Sequence, residues 1–72
     1  MINVWTFAED LPFVEITDVN GVVFKGEIIH ISDAEEADAE DDEVVVEALS
    51  GEIRIFPVSQ ISSMKRTNRN LL

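Results

Sequence analysis

Asn20-Gly-Val-Val-Phe-Lys-Gly-Glu-Ile-Ile-His-Ile-Ser32 is the stretch on which the reading of the fold turns. It opens with Asn-Gly, the strongest short signal for a hairpin, because both residues tolerate a positive φ. Val22–Ser32 then reads as one long strand, broken in character only by Gly26. A glycine inside a strand marks a bulge or a bend where another backbone comes close. Upstream, Phe13–Thr17 alternates, with Val14 and Ile16 on one face and Glu15 and Thr17 on the other, so a strand enters the Asn-Gly turn as well.

The same period continues downstream. Glu43–Ala48 carries Val44, Val45 and Val46 and is expected as a third strand. Ser50-Gly51 makes the next turn. Glu52–Phe56 alternates as a fourth strand and ends at Pro57, which has no backbone N–H. A turn through Val58 and Ser59 leads to a fifth strand over Gln60–Lys65. Before all of these, Thr6-Phe-Ala-Glu9 matches a capping box, so a short helical turn packed on the sheet by Trp5 or Phe7 is preferred over an extended start. The expected fold is all-β: five short antiparallel strands, the second bent at glycine, forming a small, partly open barrel.

Composition agrees. Of 72 residues, Val and Ile supply 17 and Leu only 4, a ratio that suits pleated sheet better than helix bundle. Apolar residues make up 46%, too many for a disordered acidic chain. No apolar run reaches membrane-spanning length and no secretory leader is read, so the expected location is cytoplasmic. Cysteine is absent and His30 is the single histidine, which excludes disulfides, thiolate sites and paired-imidazole zinc.

Charge is unevenly placed. The net charge is −10, but the run Asp33–Glu43 holds 8 of the 15 acids and no base. The remainder of the chain is close to neutral, and three of the five bases, Lys65, Arg66 and Arg69, fall in the last eight residues. The expected organisation is one domain over residues 1–66 with an acidic loop at 33–43, followed by a flexible basic tail at 67–72. Within the loop, Asp38, Glu40 and Asp42 have calcium-loop spacing. The sixth-position glycine is missing and Leu49 stands at the twelfth position, so an EF-hand is rejected. Ser32-Asp-Ala-Glu35 is a second capping-box match, although neighbouring carboxylates weaken a helix there.

Size raises a further point. A domain this short buries only about 60% of its unfolded surface. With disulfides closed to it and metal nearly so, pairing between copies through the exposed edge strands in 52–65 is the expected way to complete the structure, a self-sufficient monomeric barrel being the plainer alternative.

At these residues the sequence resembles the Sm-like family of small RNA-binding ring proteins. Gly21-Val-Val-Phe-Lys-Gly26-Glu-Ile28-Ile-His-Ile31-Ser-Asp33 is similar to the first Sm motif, with its two glycines at the right spacing and Asp33 one position late. Ile53–Met64 is similar in shape to the second motif. The resemblance covers residues 13–66 and implies an SH3-like, strongly bent barrel assembled as a homo-oligomeric ring that binds RNA or single-stranded DNA, in RNA processing or chaperoning. The acidic run occupies the loop where family members carry base-stacking residues, and Pro57-Val58 stands where they carry Arg-Gly or Lys-His. Fold and ring assembly therefore carry over better than base reading does.

The residues placed in a nucleic-acid site are Lys25, Arg54, Lys65 and Arg66 for phosphates, with His30, Ser59 and Gln60 for bases. Surface solvation, or turn capping for Ser59 and Gln60, is the plainer role for each. Phe24 and Phe56 could offer a stacking platform, although core or interface packing suits their spacing better. No catalytic constellation, cofactor or metal site is read, so no enzyme is expected. The alternative is an adaptor that binds a basic protein through the acidic loop or an exposed strand edge.

Overall fold

The computed structural model describes residues 3–36 and 38–71. Met1, Ile2, Ala37 of the acidic loop and Leu72 of the expected tail lie outside the described residues. Five strands form in the expected order: β1 (Phe13–Asp18), β2 (Val23–Ser32), β3 (Glu43–Glu47), β4 (Ile53–Pro57) and β5 (Ile61–Arg66). Short 3-10 turns occupy Val4–Phe7, Val58–Gln60 and Arg69–Leu71. The last of these gives part of the expected flexible basic tail a defined turn.

All neighbours in the sheet are antiparallel, and the spatial order is β4-β3-β2-β1-β5. Flat strands about 4.8 Å apart would leave β4 and β5 about 19 Å from one another. Yet Phe56 of β4 and Ile61 and Met64 of β5 join one core cluster with Val14, Ile16, Ile28, Ile31, Val44 and Val46. The sheet therefore curls round a shared interior. It does not close into a barrel, because β4 and β5 remain its two borders. No charged or polar side chain is buried in that interior among the described residues.

The glycines divide the work of bending. Gly26 provides the close approach: a Cβ there would lie 2.5 Å from the Glu47 carbonyl oxygen and 2.8 Å from Val46 Cγ1. The register shift itself falls later, between Ile28 and His30, where Ile29 is the extra residue. The Asn20-Gly21 turn also differs from a two-residue hairpin with two positive φ values. Only Gly21 has one, at +83°, and Gly21 N–H donates to the Asp18 carbonyl while Asp18 N–H donates to Val22. The Asp18 carboxylate accepts from the N–H groups of Asn20 and Val22, each at 2.9 Å. Ala48–Glu52 repeats the backbone pattern, with Gly51 at φ +93°. Both are type I turns closed by a left-handed glycine, the geometry of three-residue hairpin loops.

At the start of the chain the expected turn exists, but Asn3 caps it rather than Thr6, its side chain accepting from Trp5 N–H at 3.1 Å. Val4 is the buried anchor and Phe7 packs beside it, whereas Trp5 stays 42% exposed. In the acidic segment the second capping box does not start a helix. Asp33, not Ser32, accepts the Glu36 N–H, at 2.7 Å, and only a turn forms over 34–36.

Candidate nucleic-acid and protein interface

The strand register sorts the candidate residues onto separate places. Glu15 of β1 lies directly between Lys25 of β2 and Lys65 of β5, so the two lysines share one outward row with a carboxylate in the middle. Lys65 Nζ is 3.7 Å from Glu15 Oε2. Lys25 makes no ion pair among the described residues.

Arg54 is elsewhere, on border strand β4. Its Nε–H donates to Glu52 at 2.9 Å and its guanidinium lies 5.1 Å from the centre of the Phe24 ring. Phe24 in turn tilts against buried Phe56, with ring centres 5.6 Å apart. The two phenylalanines therefore pack with each other and with Arg54 instead of presenting two free faces.

Arg66 is committed most completely. Its Nη1 donates to both Asp10 oxygens at 3.0 and 2.8 Å, its Nη2 reaches the Thr6 carbonyl at 3.3 Å, and its guanidinium sits 4.9 Å from the Phe7 ring centre. It fastens the N-terminal turn to β5. A forked guanidinium suits this, being able to satisfy a carboxylate, a carbonyl and an aromatic face at once.

The residues assigned to base contacts do not converge either. His30 Nε2 lies 3.1 Å from Glu36 Oε1, which ties outward-facing β2 to the acidic segment. The Ser59 hydroxyl donates to Asp41. Gln60 has an exposed side chain, and its carbonyl accepts from Val19 N–H at 3.0 Å.

Asp42, which in the sequence figures only in the rejected calcium-loop spacing, is a junction in the fold. Its Oδ2 accepts the Trp5 indole N–H at 2.7 Å, its Oδ1 accepts Ala34 N–H at 2.9 Å, and its carbonyl accepts Val58 N–H at 2.9 Å. One residue thus joins the N-terminal turn, the acidic segment and the β4–β5 connection. A cleft of about 230 Å³ lies beside it, lined by Ala34, Glu40, Asp41, Asp42, Val58 and Ser59. These segments are remote in sequence, so no local pattern could have indicated the junction.

Among the described residues no cluster of His, Cys, Asp and Glu is arranged to hold a metal ion, and no helix is long and apolar enough to cross a membrane. Comparison with protein-family models, with curated proteins and with solved structures returned no match.

Proposed function

We propose that this chain is a non-catalytic, Sm-like module that assembles with copies of itself, β4 of one copy pairing with β5 of the next. The strand order carries this reading. Two border strands at opposite ends of one curled sheet leave unpaired backbone groups at both, a ready template for a strand of another copy. Joining unlike borders makes a head-to-tail contact, which closes into a ring when the rotation permits.

What the assembled module holds follows from its charges. Of the four cations proposed for phosphates, Arg54, Lys65 and Arg66 already face carboxylates within the chain. Phosphate would have to displace those partners as well as its own counterions. A protein cargo is therefore favoured over RNA or single-stranded DNA, which remains the second reading. Lys25 supports that second reading, since a ring repeats each lysine once per copy and weak contacts then add by avidity.

Light scattering tests the assembly, with a defined multimer expected at micromolar concentration; a monomer overturns it. Titration with fluorescent oligoribonucleotide at low and physiological salt tests the cargo. Tight binding that persists near physiological salt would reverse the preference for protein.

A further inference from the structure

We infer that the outer face of β2, β3 and β4 is a docking surface for a cationic amphipathic segment of a partner protein. The backbone edge of β4 serves assembly, whereas this surface is made of side chains standing perpendicular to the sheet, so both can be used together.

The register assembles the face. One row runs Glu27–Glu47–Ile53 and the next His30–Val45–Ile55. The bulged residue Ile29 sits beside His30. Ile29, Ile53 and Ile55 are 40%, 54% and 59% exposed, an apolar group on one surface rather than scattered side chains. Carboxylates border it. Glu27 and Glu47 are directly opposed across β2 and β3, and like charges at such positions destabilise a sheet. Neither they nor Glu43, in the following row, has a cationic partner among the described residues. The local rules of sheet building are broken here with no return inside the chain, which marks places kept for another purpose.

Charge complementarity selects the occupant. Lysine or arginine beside Glu27 and Glu47 turns a repulsion into attraction, while apolar side chains of the same segment cover the isoleucines. A second copy laid face to face here would set Glu27, Glu43 and Glu47 against the same carboxylates of its partner. An anionic membrane would meet carboxylates.

The test uses a short fluorescent peptide of alternating lysine and leucine, with a glutamate–leucine peptide as control. Saturable binding of the first alone is expected, weakened about tenfold in Glu27→Gln/Glu47→Gln and again in Ile29→Ser, which lies away from the border strands. The double glutamine variant relieves a repulsion, so its melting temperature should not fall, which separates lost docking from lost folding. No saturable binding overturns the inference, as does equal binding of the control peptide. It is also overturned if only glutamine substitutions within 33–43 abolish binding, since the site is then the acidic loop. A drop in solution mass caused by Ile29→Ser alone, a residue away from both border strands, would assign the face to a second copy. Failure of assembly with intact peptide binding would count against the proposed module only.

Discussion

Gly26 and Glu47 meet at a distance that admits only glycine at position 26: a Cβ there would stand 2.5 Å from the carbonyl oxygen of residue 47. The contact is with backbone in a paired strand, which has little room to withdraw. Here β2 lies beside β3 with no room for a side chain at 26, and Val46 reaches the interior.

Gly26→Ala should therefore lower the free energy of unfolding by about 1–3 kcal/mol, the usual cost of overpacking. Gly21→Ala is the comparison. It meets open space but keeps a φ of +83°, so its cost is conformational, about 1–2 kcal/mol. Urea denaturation followed by circular dichroism measures both. Only the Gly26 substitution should also loosen the β2–β3 pairing seen by amide exchange.

Arg66 and Asp10 should be coupled in a double-mutant cycle of Arg66→Gln and Asp10→Asn. Both side chains are about half exposed, so solvent screening keeps the coupling below about 1 kcal/mol. Arg66→Lys should not restore it fully, because an ammonium cannot make the fork. A coupling of zero would mean the N-terminal turn is held by Val4 and Phe7 alone.

Asp42→Ala should cost about 1–2 kcal/mol and change the emission of Trp5, the only tryptophan. Two N–H groups lose their acceptor at once, one from the indole and one from the start of the acidic segment. Unchanged fluorescence would show that the indole bond is not formed in solution.

Raising the ionic strength from about 0.01 M to about 0.15 M should raise the melting temperature, since screening shortens from about 30 Å to about 8 Å. With 15 acids against 5 bases, repulsion among carboxylates outweighs the exposed ion pairs that salt also weakens. Scanning calorimetry at the two salt levels checks the sign. Glutamine at the acids of 33–43 should remove most of the effect.

Strand positions were legible because they follow from a local rule. Side chains alternate across a pleated strand, so Val14/Ile16 and Val44/Val46 announce a buried face and the turns between them need glycine. Gly26 was legible for the same reason, as a residue without a side chain where a backbone must pass. Its partner was not, and neither was the bulge at Ile29.

The amino-acid sequence by itself determined the all-β class, the five strands, the two glycine turns and an acidic segment that no core could accept. Tertiary structure alone decided which charges meet. It took Arg66 to Asp10, set Glu15 between Lys25 and Lys65, and gave Asp42 three segments to join. The physical reason is range: periodicity records the environment of a residue within its own strand, whereas an ion pair or a strand border depends on which distant segments the curled sheet brings side by side.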